Sequence, residues 1–270
     1  VTPQDRVFLA ELAAARAGLE VDPGETYLID SRLAPLARRE AFETLADLVR
    51  ALREQADERL TTAAVEALVS SETRFFRDRP LLERLWRELA PQLARRRDGP
   101  LRIWSAGCAA GQEIYSLAML QAEAPAPTGR VELFASDLSE RLLERARSGL
   151  YSSFEVQRGL SARQLVRHFE NRDAGFQLAR PLRHQVRWRR VNLLDDLTPL
   201  GTFDVVLCRN VLRGLTPAAR ARVVDSLAGA MAPDGVLVLG EGEAAASPKL
   251  APLPTFGSVF RRASEVRAAA

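Results

Sequence analysis

The chain has 270 residues, 47% of them hydrophobic and 27% charged, which suits a globular protein with one large α/β domain and a smaller partner. No apolar run approaches the roughly 20 residues of a membrane helix. The start, Val1-Thr2-Pro3-Gln4-Asp5, has no basic region followed by an apolar stretch, and a net charge of +3 does not by itself imply a nucleic-acid partner. Cys108 and Cys208 form neither a CxxC pair nor a disulfide framework, so no metal is expected and a reducing cytoplasm is the expected compartment. The absent initiator Met leaves room for sequence upstream.

Residues 4–97 read as helices. Phe42, Leu45, Leu48, Val49 and Leu52 recur at helical spacing, and Thr61 to Glu66 reads as a helix start with an acid in its first turn. Pro80 opens another apolar stripe, Leu81, Leu82, Leu85, Trp86 and Leu89. The pattern changes at Asp98-Gly99-Pro100. Strand-like runs at 101–105, 131–135, 186–191, 203–208 and 235–239 then alternate with helical stretches at 112–123, 139–147 and 217–231. Such alternation predicts a mainly parallel, Rossmann-like sheet covered by helices, with ligands at the carboxyl ends of its strands. The boundaries expected are an all-α domain over 1–78 and an α/β domain over 79–270, the latter with an inserted β-subdomain at about 170–190. Phe176 to Arg190 is expected to form a hairpin about Pro181, and the tail Ala268-Ala269-Ala270 to be loose. The stretch 158–190 carries nine Arg against Glu170 and Asp173, a net of +7, whereas residues 1–98 carry 16 Arg against 18 acids, a net of −2. The basic stretch reads equally as a surface for an acidic partner and as a solvated, arginine-rich hairpin.

Chemistry is expected where these strands end. Gly107-Cys108-Ala109-Ala110-Gly111 joins the first strand to its helix, and glycines there let the backbone bend and approach a ligand closely. Asp137 ends the second strand, where a carboxylate can accept from both ribose hydroxyls of an adenosine; its competing role is a cap for the helix beginning near Ser139. The turn departs from G-x-G-x-x-G, and Glu113 at the helix start would repel a pyrophosphate. A ligand without phosphate but with a sulfonium and an ammonium suits it better, which points to S-adenosylmethionine. Asn192 and Asn210 also follow strands, where each serves equally as a ligand for adenine or the methionine moiety and as an ordinary turn residue.

Five segments occur in one order: Ser71-x-Thr73-x-Phe75-Phe76-Arg77, the glycine turn running into Gln112-Glu113-Ile114-Tyr115-Ser116, Phe134-Ala135-Ser136-Asp137, Val191-Asn192-Leu193-Leu194 and Cys208-Arg209-Asn210-Val211-Leu212. Together they resemble the CheR-type chemotaxis receptor methyltransferases over nearly the whole chain. The resemblance implies a cytoplasmic enzyme acting as a monomer on the cytoplasmic helical domain of chemoreceptors. It implies transfer of the methyl group of S-adenosylmethionine to glutamate carboxylates, leaving a methyl ester and S-adenosylhomocysteine. Carried over by position, Ser71, Thr73 and Arg77 would contact the cofactor from the linker, Glu113 its methionine end and Asp137 its ribose, beside the turn at Gly107. Asn192, Leu193, Arg209 and Asn210 would line the adenine and methionine region.

Elementary chemistry agrees with such a reaction. A glutamate, with a pKa of about 4.3, is already ionised at neutral pH, so no general base is needed. In-line attack needs positioning and partial desolvation instead. Arg77 is the candidate for holding the incoming carboxylate, its competing role being an ion pair with Asp78 or Glu72. The chain departs from the family pattern in three places: Gly214-Leu215 stands for Tyr-Phe, Gly240-Glu241-Gly242-Glu243 for Gly-His-Ser-Glu, and Ser71 for Asn. Gly214 motivates a second reading, a divergent cofactor-binding regulatory protein with little or no transferase activity. The arginine-rich stretch motivates a third, methylation of another carboxylate or of RNA, against which stands the lack of an Asn-Pro-Pro-Tyr-type motif; no nucleic-acid partner is expected. The six residues between Phe169 and Phe176 are too few for the longer hairpin loop that accompanies receptor-peptide tethering in the family. Direct docking of Arg183, Arg187 and Arg189, presented on one strand face, is expected in its place.

Overall fold

The computed structural model describes residues 1–54, 57–96, 99–124 and 129–263; Asp98, at the expected change of pattern, and the tail 268–270 lie outside the described residues. The chain divides into two compact units, Val1–Ser70 with Leu212–Arg222, and Ser71–Val211 with Val223–Ala270.

The first unit begins with α1 (Pro3–Ala17), started by a Thr2–Asp5 capping box and stopped by left-handed Gly18. It continues with α2 (Thr26–Arg39), α3 (Leu45–Glu54) and α4 (Glu58–Leu68). The start expected at Thr61 falls earlier, because Asp57 accepts hydrogen bonds from the Arg59 and Leu60 amides and so caps α4. Leu9, Ile29, Leu33, Leu48, Leu60 and Leu68 meet in one core. Gly214 and Thr216 belong to this unit: the Gly214 carbonyl accepts from the Glu20 amide, and the Thr216 amide donates to the Gly18 carbonyl.

In the second unit a non-helical run, 71–78, leads into α5 (Arg79–Arg84), which passes through a π-helical turn at Leu85–Leu89 into α6 (Ala90–Ala94). The stripe from Leu81 to Leu89 is buried. Then follow β1 (Leu101–Ala106), α7 (Gln112–Glu123), β2 (Val131–Asp137), α8 (Glu140–Ser148), β3 (Leu150–Tyr151), α9 (Ser153–Gln157), α10 (Ala162–His168), β4 (Phe169–Arg172), β5 (Gly175–Leu178), α11 (Arg180–Arg183) and β6 (Val186–Arg190). Further along come β7 (Phe203–Cys208), α12 (Pro217–Gly229, of which the residues up to Arg222 fall in the first unit), β8 (Met231–Leu239), β9 (Leu250–Pro252) and β10 (Val259–Arg262). Seven strands form one sheet in the order β6-β2-β1-β7-β8-β10-β9. The first five run parallel, and β10 and β9 close the far edge antiparallel. The strand order reverses at β1, so the ends of β1, β2 and β7 lie side by side at the switch point.

A second sheet, β3-β5-β4, forms the insertion. Its hairpin turns at Asp173-Ala174, between paired Arg172 and Gly175, and not about Pro181. Pro181 sits in the first turn of α11, where its missing N–H has no helical partner to lose. The residues after it return to the main sheet, with Val186 beside Leu133 and Arg190 beside Asp137. Arg183 therefore does not share a strand with Arg187 and Arg189. Its Nε donates to the Leu178 carbonyl at 3.0 Å, and its stem packs over Gly149. Among the described residues no helix is long and apolar enough to cross a membrane.

Candidate active site

The turn after β1 contains three left-handed residues, Gly107 (φ +76°), Ala109 (φ +49°) and Gly111 (φ +87°). A Cβ on Gly107 would lie 2.5 Å from a Val211 methyl, and one on Gly111 would lie 2.9 Å from the Trp188 ring, so the glycines serve close packing as well as backbone freedom. The Gly107 and Cys108 amides both donate to the Ser136 carbonyl, at 2.8 and 2.9 Å, which ties the turn to the end of β2. Asp137 completes the tie. One carboxylate oxygen accepts the Ala109 amide at 2.8 Å and the other the Ser139 amide at 3.0 Å. The helix cap is Ser139, whose hydroxyl accepts from Leu142, so Asp137 is more than a helix-starting residue. It is 5% exposed, a desolvated carboxylate held by oriented amides at a strand end.

Beside it lies an ion cluster centred on the buried Arg209. The Glu113 carboxylate accepts from the Ser105 hydroxyl at 2.9 Å and from Arg209 at 3.0 Å, and Arg209 also reaches Asp78 at 3.5 Å. The Arg209 side chain is only 2% exposed, and among the described residues its Nε has no hydrogen-bond partner. An unpaired N–H in a desolvated cation is costly unless something else accepts from it. Burial, with the nearby Asp137 and Glu113 carboxylates, pushes the Cys108 thiol well up, so it stays neutral.

Arg77 lies in a turn between two left-handed non-glycine residues, Phe76 (φ +47°) and Asp78 (φ +56°). Strain of this kind persists only where the surroundings over-determine it, and it concentrates at functional sites. The Phe76 amide donates to the buried Ser116 hydroxyl at 2.8 Å, and that hydroxyl donates to the Gln112 carbonyl at 2.6 Å. Arg77 is 3.9 Å from Glu72, the long ion pair considered above, while Asp78 turns to Arg209. Ser71 is exposed and Thr73 half-buried on the run leading into this turn. Asn192 accepts the Leu194 amide at 3.1 Å, the geometry of a turn asparagine, with half-buried Leu193 between them at the end of β6. Asn210 is left-handed (φ +62°), and its amide and that of Gly240 both donate to one Glu243 oxygen at 2.8 Å.

The structure thus joins the turn that begins at Gly107 to Asp137 through the Ala109 amide, Glu113 to Arg209, and Arg77 through Asp78 to the same arginine. Sequence reasoning missed Ser105, Asp78, Ser116 and Glu243 as parts of this network. Asp78 and Ser116 stand in or beside the quoted segments, and Glu243 in a segment noted only for its departures, so only the pairing itself was hidden.

A parallel sheet that reverses at β1, a glycine turn without a third glycine, an acid in the first turn of α7 and a buried acid ending β2 define a Rossmann-like methyltransferase that uses S-adenosylmethionine. A family model described as CheR methyltransferase, SAM binding domain, matches residues 71–251. The chain is 35% identical over 246 residues to chemotaxis protein methyltransferase 1 of Pseudomonas aeruginosa, covering 88% of each. It is 33% identical to chemotaxis protein methyltransferase 1 of Vibrio cholerae and 32% identical to the chemotaxis protein methyltransferase of Vibrio parahaemolyticus, each over 248 residues and 90% of both chains. The chain belongs to the CheR methyltransferase family.

Proposed function

We propose that this methyltransferase forms methyl esters on glutamate side chains of the cytoplasmic helical domain of chemoreceptors. The observation that carries the reading is the grouping at the strand ends: two largely buried carboxylates, Glu113 and Asp137, beside a strained turn that carries Arg77. The donor set fits the cofactor. Asp137 has the lone pairs for ribose hydroxyls, Glu113 suits an ammonium, and the unpaired Arg209 Nε suits a carboxylate. Ser71, Thr73, Gly107, Asn192, Leu193 and Asn210 complete the proposed lining. When bound, S-adenosylmethionine supplies an electrophilic methyl on a sulfonium.

The protein's own part is then positional. Arg77 receives the ionised substrate carboxylate and orients one oxygen, and no group need remove a proton. The buried surroundings strip water from that oxygen, and fixed charges act strongly there. A two-residue turn in the β4–β5 hairpin supports a receptor contact without a peptide tether. Arginines of 158–190 supply the electrostatic part of that contact, chiefly Arg187 and Arg189, since Arg158, Arg172, Arg183 and Arg190 already bind Glu72, Glu170, the Leu178 carbonyl and the Leu138 carbonyl.

The test is transfer of a tritiated methyl group from S-adenosylmethionine into receptor-containing membranes of the source organism. Base-labile volatile counts are expected, as a carboxyl methyl ester releases methanol in alkali. Alkali-stable counts would point to an amine or a nucleic acid and overturn the reading.

A further inference from the structure

Arg79, outside the proposed lining, holds three things at once. Its guanidinium lies over the Phe76 ring at 3.9 Å. One of its nitrogens donates to the Gly159 carbonyl at 2.7 Å and to Gln164 Oε1 at 2.9 Å, both in the inserted segment between β3 and β4. The other reaches Glu83 on its own helix at 3.5 Å. The inserted segment comes so close here that a Cβ on Gly159 would lie 1.9 Å from the Phe75 carbonyl oxygen. Gln164 is itself fixed, 5% exposed and locked in a capping box with Ser161.

These contacts bear on Arg77 through the backbone. Phe76 is a bulky residue in a left-handed conformation that its own sterics disfavour, and Asp78 is another. Asp78 is held by Arg209, and the Phe76 amide by Ser116. The Phe76 ring is held from the inserted segment's side by the Arg79 plane, which restrains the turn that carries it. A planar guanidinium can stack on a ring while its edge donates to two acceptors, which an ammonium cannot do.

We propose that Arg79 is the positioning residue for Arg77, clamping the Phe76-Arg77-Asp78 turn to the inserted segment so that both move as one body. The inference rests on the assignment of Arg77 to the substrate carboxylate. Release of the clamp lets Phe76 relax and displaces Arg77, and a displacement near 1 Å costs rate on the order of a hundredfold.

A double-mutant cycle on kcat/KM tests it, with thermal melting and S-adenosylhomocysteine affinity followed in parallel. Arg79→Ala is expected to lose on the order of ten- to hundredfold, mostly in kcat. Arg79→Lys, which keeps the charge and stem and so guards against misfolding, is expected to recover little of that loss. Combined with Arg77→Ala, either change is expected to cost nothing further, because a residue acting only through Arg77 has nothing left to position. Losses that multiply in the double variants, or full activity in Arg79→Lys, would overturn the clamp and leave the proposed reaction standing. Full activity in Arg77→Ala would overturn the assignment beneath it as well.

Discussion

The strand ends and the outer strand β6 both carry charge, in different ways. At the ends of β1, β2 and β7, Asp137 and Arg209 are buried and the Glu113 side chain is 13% exposed; each carboxylate oxygen of the two acids has a partner within 3.0 Å. On β6, Arg187 and Arg189 are exposed and project on one face. They line, with Arg102, Glu132, Phe134 and Phe203, a shallow cavity of about 150 Å³ near the amino-terminal ends of the neighbouring strands. Burial makes a charge expensive unless it is paired, so the first set is geometrically fixed and can act on a ligand without reorganising. Exposed arginines are solvated and screened, and act at a distance on whatever approaches.

The largest effect is expected at Asp137. Hydrogen bonds to a charged group contribute about 1.5–3 kcal/mol each, so Asp137→Ala, by removing acceptors for two ribose hydroxyls, should weaken S-adenosylhomocysteine binding more than tenfold. It also strands the Ala109 and Ser139 amides, so the melting temperature should fall with it. Unchanged calorimetric affinity in a folded variant would break the comparison at its stronger end. Gly107→Ala comes next. The new methyl meets Val211 at 2.5 Å with φ at +76°, and overpacking of this kind costs about 1–3 kcal/mol of stability. Removing the obstacle with Val211→Ala should restore part of that in chemical denaturation. No loss in the single variant would show that the turn is softer than its packing implies.

Gly214→Tyr asks whether the buried groups suffice alone. Gly214 does not have a positive φ, and a Cβ there meets nothing within 4 Å among the described residues, so the backbone admits a side chain. Restoring the family tyrosine is expected to raise methyl transfer while leaving S-adenosylhomocysteine affinity unchanged. A neutral result beside a normal wild-type rate would mean that the phenol's role is filled elsewhere or is not needed in this chain.

Much of the second unit could be read in advance because its central parallel strands are buried on both faces and carry continuous apolar stretches, as in Val205 to Cys208. Likewise α7 fell at its expected limits, since Gly111 marks its start. The insertion was misread for a physical reason. Its strands are only two to four residues long, too short for alternation to register, and Pro181 imitates a turn while opening a short helix. The strand ends were legible as residue types, because an acid closing the strand directly after a glycine turn stands out even though each feature alone has structural uses. Their pairing was not: Glu113 and Arg209 lie 96 positions apart, and only the sheet order brings them together.

The smallest effect is expected on β6. Arg187→Glu with Arg189→Glu reverses two exposed charges and leaves the strand-end network intact, so cofactor affinity should not move. If these arginines steer acidic receptor helices, methylation should slow at low ionic strength, through association rate and apparent KM, with kcat near wild type. The deficit should fade as salt shortens the screening length from roughly 10 Å at 0.1 M to 3 Å at 1 M. Arg183 makes a useful control. It is engaged by the Leu178 carbonyl, so Arg183→Glu should cost stability of the insertion and show little dependence on salt. A deficit in the β6 variant that persists at high salt would mean that the arginines make specific contacts, erasing the contrast with the strand ends. No deficit at any salt would move receptor recognition off β6 altogether, leaving the acidic helices to be met by another surface of the protein.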